Sequence, residues 1–218
     1  MVFIRKYLRQ ICEIGRRLYD DGFVVANDGN ISVRLPDQRV MITPTNVSKG
    51  RLSVRRMSVI DFQGNLLKGD PPSSEYRMHL EIYNQRPDVQ AVVHAHPPCA
   101  TAWGLTGQSL EQDVLPEVIV TLGRVPVVAY QHPSTAGFAG AVGKSAREHE
   151  ALLLQNHGAV TYAGDLQSAC DMMERLEHVC KILFYAQSLG NIRILPAEQV
   201  RELLEIFPVS ERVRRQFK

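Results

Sequence analysis

Three histidines and one glutamate in this chain have the types and spacing that hold a divalent metal. His94-Ala95-His96 closes an apolar run, Val92-Val93, and stands directly before Pro97-Pro98. On a strand, side chains two positions apart share a face, so the two imidazoles converge at a strand end. His157 follows a second apolar run, Leu152-Leu153-Leu154, and precedes Gly158, while Glu75 opens a helix upstream. A catalytic zinc commonly has three protein ligands and one open position. His94, His96 and His157 supply three neutral nitrogens. Glu75 is placed either to fill the open position at rest or to act as a base beside the metal. A lone His-x-His is a weak pattern, because one imidazole often only caps a strand through a backbone hydrogen bond. The position of all three histidines at strand ends is what favours a metal.

Anion-binding features surround this set. Asn30 lies in a Gly-bearing turn, Thr45 and Asn46 lie in a loop after a strand, and Ser73 and Ser74 stand at a helix N-terminus. Hydroxyls and free backbone N–H groups in such places make a phosphate seat, although each residue alone is ordinary turn or cap chemistry. Other residues carry weaker signals. His79, one helical turn from Glu75, is either a support for it or a structural helix-face histidine. Cys99 reads as a small core residue rather than a fourth ligand. Lys49, Arg51, Arg55 and Arg56 form a solvated loop that can attract an anion. Tyr130 and His132 are candidates for the mouth of the site, and Arg212, Arg214, Arg215 and Lys218 form a solvated basic tail.

These residues need elements to position them. A first helix is predicted from Phe3 to about Asp21, with Ile4, Leu8, Ile11 and Leu18 near one face. Alternation predicts a hairpin of Ile31–Leu35 with Val40–Thr43, and a second of Val59–Phe62 with Leu66-Leu67. Serine before Glu75 predicts a helix from Glu75 to about Gln85. The His94/His96 strand follows, then a short helix over Cys99–Trp103. Strands are expected at Val118–Val120 and Val125–Tyr130, a Gly/Ala-rich helix at Gly137–Ala146, and a buried strand at Leu152–Leu154 that Val160–Tyr162 continues. Asp165 caps a long helix, about Leu166 to Leu189, and Pro196 starts a last one. Hairpins in the first half and helices between later strands predict an α/β fold with a mainly antiparallel sheet covered by helices.

The 218 residues fit one domain, 1–218. A hydrophobic content of 44% supports a substantial core, and a net charge of +2 implies neither nucleic-acid nor membrane binding. Apolar stretches are broken by Pro, His or charge, so no membrane span or signal peptide is expected. Four cysteines, at 12, 99, 170 and 180, form no CxxC pair, which fits a cytoplasmic protein.

The segments Asn27-Asp28-Gly29-Asn30-Ile31-Ser32, Ile42-Thr43-Pro44-Thr45, Pro72-Ser73-Ser74-Glu75, Val92-Val93-His94-Ala95-His96 and Leu154-Gln155-Asn156-His157-Gly158 occur in the same order as in the class II aldolase/adducin superfamily. Over roughly Ile11 to Gly190 the chain resembles the L-fuculose-phosphate aldolases of that superfamily. The resemblance implies a three-layer α/β/α fold, one zinc per subunit and a homotetramer with sites at subunit interfaces. It implies that His94, His96 and His157 bind the metal, and that Glu75 is the catalytic acid, able to coordinate the metal when no substrate is bound. It also implies that Asn30, Thr45, Asn46, Ser73 and Ser74 seat a substrate phosphate. The family commonly has Gly where this chain has Asn46. The implied reaction is retro-aldol cleavage of a phosphorylated ketose through a metal-stabilised enediolate.

Two departures bear on that activity. The aldolases use a tyrosine near the C-terminus, given by a neighbouring subunit; the last tyrosine here is Tyr185, and the corresponding stretch, Phe207–Arg212, offers Ser210 and Glu211. Related epimerases need that tyrosine too, and an aspartate before a Gly-x-x-Pro turn. Here Val118–Leu122 precedes Gly123-Arg124-Val125-Pro126, which counts against epimerisation. Glu117 stands close to where related methylthioribulose-phosphate dehydratases place an acid, so it is a second candidate acid/base; the alternative is a solvent-facing residue before a strand. The rivals to an aldolase are therefore a dehydratase or decarboxylase on a related sugar-phosphate skeleton, and a non-catalytic, adducin-like interaction module.

Overall fold

The amphipathic first segment forms α1 (Val2–Asp20) in the computed structural model, which describes residues 2–218. Ile11 and Leu18 are fully buried on its inner face and Leu8 is half-buried, while the side chain of Ile4 lies outside the described residues. Both expected hairpins form, as β1 (Asn30–Leu35) with β2 (Arg39–Ile42) and β3 (Ser58–Asp61) with β4 (Leu66–Lys68). Then follow α2 (Tyr76–Gln85), β5 (Ala91–Ala95), α3 (Pro98–Leu105), α4 (Pro116–Thr121), β6 (Val127–Val128) and α5 (Ala136–Ala146). The chain continues through β7 (Ala151–Leu154), β8 (Gly158–Ala163), α6 (Leu166–Leu189), α7 (Ala197–Ile206) and α8 (Glu211–Arg215).

The strands make one sheet in the order β4-β3-β2-β1-β5-β8-β7-β6. Every neighbouring pair is antiparallel except β6 with β7. Period two divides each strand between two cores. Ile31, Val33, Val93, Ala95 and Leu153 pack under α1, α3 and α6, whereas Val92, Leu152, Leu154 and Val160 pack under α2 and α5. The result is the expected three-layer α/β/α arrangement with a mainly antiparallel sheet. Among the described residues no helix is long and apolar enough to cross a membrane.

Four expectations are corrected. Val118–Val120 is helical, within α4. Leu115 is extended, and Pro116 at the first helical position is pre-set for a helix start, which outweighs the strand preference of a β-branched run. The strand expected over Val125–Tyr130 shrinks to two paired residues at the sheet edge, where Pro126 has no N–H for a ladder. Val160–Tyr162 does not continue the Leu152–Leu154 strand; β7 and β8 are separate and pair as a hairpin. The basic tail is not a solvated run: Ser210 caps α8, and Arg212 pairs with Glu150 at 3.1 Å. The long helix α6 keeps its expected bounds with Asp165 as its cap, but Phe184, at the end of its apolar stripe, is exposed.

Candidate active site

Strand register creates the centre of the site. In the β1–β5 ladder Asn30 lies directly opposite His94, and Ser32 opposite Val92. All four therefore share the face that α2 covers. His96 lies one residue beyond β5, and its N–H donates to Phe23 O at 2.9 Å, which keeps the chain extended and the ring on the His94 side. His157 sits in the β7–β8 turn, where Asn156 takes the left-handed conformation (φ 57°) and His157 N–H closes the turn on Leu154 O. A Cβ on the following Gly158 would stand 2.5 Å from both Ala95 O and His96 Cδ2, so only glycine lets this turn descend onto His96.

The ligand nitrogens of His94, His96 and His157 all lie within 4.8 Å of one another. His94 Nδ1–H donates to Ala159 O at 2.9 Å, which leaves Nε2 with its lone pair facing inward. Nε2 of His94 and of His96 are 3.2 Å apart. Two nitrogens on a tetrahedral ion with bonds of about 2.0 Å stand about 3.3 Å apart, so the pair fits a shared cation. Glu75 closes the cluster, with Oε2 at 3.2 Å from His94 Nε2 and Oε1 at 3.2 Å from His157 Nε2. Oε1 is buried and makes no directed hydrogen bond, a lone pair that a cation or a transferred proton would satisfy. Three imidazoles and a carboxylate suit zinc or a neighbouring divalent transition metal.

Electrostatics agree with a cation site. Burial alone would raise the Glu75 carboxyl, but His94, His157 and the Asn30 amide outweigh it and hold Glu75 well below the usual carboxylate range. Burial, reinforced by the neighbouring rings, pushes His96 and His157 each down to about 4. Both are thus neutral near pH 7, as metal ligands must be.

The expected phosphate seat meets this cluster in one cavity of about 230 Å³, lined by Asn30, Thr45, Asn46, Ser73, Ser74, Glu75, His96 and His157 among others. Thr45 and Ser73 donate their backbone N–H groups to Pro71 O and Thr43 O, so their hydroxyls are what they offer a ligand. Asn46 has φ 55°, a left-handed conformation that Gly or Asn adopts at low cost, which accounts for the exchange of Gly for Asn here. Asn30 differs from the expectation: its Nδ2–H donates to Glu75 Oε2 at 2.8 Å, so it serves the acid first.

Glu117 is not brought to this cavity. It is exposed in the first turn of α4 and lines a separate hollow of about 570 Å³ with Asp171, Arg175 and His178. Cys99 is also apart: its backbone N–H and that of Ala100 donate to the two oxygens of Glu177, which caps α3 directly behind the His96 turn. Tyr130 and His132 pair with each other, while Pro133 and Ser134 form that wall of the cavity. Three groups carried more than their sequence signals suggested. Lys49 is 2% exposed, lines the cavity, and donates to Asn27 O and Val47 O; burial lowers it to about 8. His79 and Ser32 are fully buried and bonded to each other beneath Asn30. A polar stripe at every second position of β1, Asn30-Ser32-Arg34, was the available signal for the latter.

A family described as Class II Aldolase and Adducin N-terminal domain matches residues 9–184. A 3-oxo-tetronate 4-phosphate decarboxylase of Haemophilus influenzae is 39% identical over 88% of this chain and 92% of its own length. An L-fuculose phosphate aldolase of Methanococcus vannielii is 37% identical over 80% of this chain and 94% of its own length. The solved structure of YgbL from Escherichia coli superposes with a TM-score of 0.85 at 32% identity, covering 92% of this chain and 99% of that one.

Proposed function

The chain belongs to the class II aldolase and adducin family, and we propose that within it this protein is a metal-dependent decarboxylase of a four-carbon 3-oxo sugar acid phosphate. The observation that carries the reading is the 39% identity to a 3-oxo-tetronate 4-phosphate decarboxylase over nearly the whole of both chains. In such a β-keto acid the electrons of the bond to the carboxylate move toward the ketone, carbon dioxide leaves, and an enediolate remains. Protonation of the carbon that lost the carboxylate gives dihydroxyacetone phosphate.

A divalent metal held by His94, His96 and His157, zinc in this reading, would supply Lewis-acid polarisation of the ketone and its neighbouring hydroxyl. Glu75, ionised at rest, takes up a proton as negative charge develops beside it and passes it to the enediolate carbon. The hydroxyls of Thr45, Ser73 and Ser74 with Asn46 hold the phosphate, and the buried Lys49 charge underlies that seat. Asn30 holds Glu75.

Retro-aldol cleavage of a ketose phosphate is the second reading, favoured by the aldolase relative. It passes through the same kind of enediolate but needs one more proton-handling group, for the hydroxyl that becomes the aldehyde. Carbon dioxide needs none. In this chain the tail that would correspond is docked elsewhere, with Ser210 donating to Glu150. Glu117 can serve either reaction only if a neighbouring subunit presents it, as in the homotetramer this reading assumes; the cytoplasm is the compartment it assumes. Metal-loaded protein is tested with 3-oxo-tetronate 4-phosphate and, separately, with ketose 1-phosphates. Equal release of carbon dioxide and dihydroxyacetone phosphate from the former is expected. Aldehyde release from a ketose phosphate, with no carbon dioxide from the acid, would overturn the assignment in favour of the aldolase.

A further inference from the structure

A line of buried polar groups runs from the core to the acid. Tyr83 OH lies 2.7 Å from Ser32 Oγ, which lies 2.7 Å from His79 Nδ1. His79 Nε2 lies 2.5 Å from Asn30 Oδ1, and Asn30 Nδ2 lies 2.8 Å from Glu75 Oε2. Ser32 and His79 are fully buried, Tyr83 is 1% exposed and Asn30 3%.

Chemistry fixes the direction of every bond. The Glu75 carboxylate only accepts, so Asn30 must turn its NH2 toward Oε2 and its carbonyl toward His79. That carbonyl also only accepts, so His79 must carry its proton on Nε2. Burial keeps the ring neutral near pH 7, so Nδ1 is an acceptor and takes the single hydroxyl proton of Ser32. Ser32 has no second proton, so Tyr83 OH must donate to Ser32 Oγ. Each donor has one acceptor, and all point toward Glu75.

We propose that His79 and Asn30 are positioning residues whose one-way hydrogen-bond chain from Tyr83 pins Glu75 Oε2 as an acceptor and leaves Oε1 as the proton-carrying atom. The functional half of this rests on the reading of Glu75 as the group that handles the substrate proton. The chain explains why a histidine that neither binds metal nor reaches the cavity is buried beside the site. It also assigns the two carboxylate oxygens of Glu75 different tasks: Oε2 is held by Asn30, and Oε1 has no directed partner.

Nitrogen-15 NMR on histidine-labelled, metal-loaded wild-type protein reads the chain without reference to activity. His79 is expected as a neutral ring with the proton on Nε2; a proton on Nδ1, or a doubly protonated ring, overturns the proposal. Kinetics read its consequence. His79→Leu is expected to lower kcat by about 10-fold or more with KM changed less than about 2-fold and metal content unchanged. His79→Gln, whose amide can donate to Asn30, is expected to recover most of that loss. Unchanged kcat, a loss confined to KM or metal, or no advantage of Gln over Leu overturns it. Ser32→Ala, a smaller change, supplies the same kinetic test if His79→Leu does not fold. Glu75→Gln with wild-type turnover would instead overturn the acid–base reading, and the NMR result would still decide the chain.

Discussion

The two faces of the central sheet are made by the same strands and are chemically unlike. Under α1, α3 and α6 the strands present Ile31, Val33, Val93, Ala95 and Leu153, and the layer is almost wholly apolar. Under α2 and α5 the alternate positions of those strands present Asn30, Ser32 and His94, joined there by His79. Burying such groups costs stability unless each has a partner, and here each does. Farther along the same face Arg86, 3% exposed, donates to Glu150 and to the carbonyls of Ala146 and His149. One face supplies stability through non-directional burial; the other accepts a polar interior that fixes the direction of particular atoms. Function has gathered on the second.

Removing a ligand tests this contrast most severely. His157→Ala is expected to lose bound metal and to lower kcat/KM by more than the roughly 100-fold that loss of an outer partner of a ligand costs, with the fold retained. Elemental analysis and circular dichroism on one sample check it; full metal content in the variant would break the assignment. The converse change lies on the apolar face. Leu176→Ala, at a fully buried position of α6, is expected to cost about 2–5 kcal/mol in urea unfolding while folded protein keeps its metal stoichiometry. Metal affinity falling in parallel would show that the two faces are not separable.

Lys49 gives a pH signature on the cavity side. Its folded value, about 8, lies below the ordinary 10.5, so between those values the unfolded chain holds the extra proton. Stability from this group therefore rises with pH across that window, by at most about 3 kcal/mol. Urea midpoints at pH 7.5 and pH 10 should show the rise in wild type and a flatter response in Lys49→Met. The smallest effect is expected for Tyr83→Phe, which removes the outermost donor of the chain at a cost of about 1 kcal/mol by the same measurement. A cost several times larger would mean that the network behaves as one cooperative unit rather than a series of bonds.

Much of this was legible before folding, and the reasons are local. The period of α6 follows from apolar residues at helical spacing with Asp165 as its cap, and both early hairpins follow from alternation broken by turn residues. The metal ligands were legible because imidazoles at strand ends are chemically conspicuous. The misread α4 shows the limit: Val118-Ile119-Val120 has strand propensity, yet Pro116 and packing of Ile119 with Val200, Leu204 and Val213 make it helix. Glu117, read beside that supposed strand, accordingly stands on another surface.

The sequence by itself determined the element types, the inventory of metal ligands and the seat of hydroxyls, because side-chain chemistry and periodicity are properties of short segments. Only the tertiary structure decided which groups meet. Asn30 reaches Glu75 rather than serving solely as a phosphate ligand because the β1–β5 register sets it opposite His94 under α2. His79 and Ser32 join them because the same face closes over both. Register and layer packing are relations between segments far apart in the chain, and a one-residue shift in pairing would turn every one of these side chains to the other core.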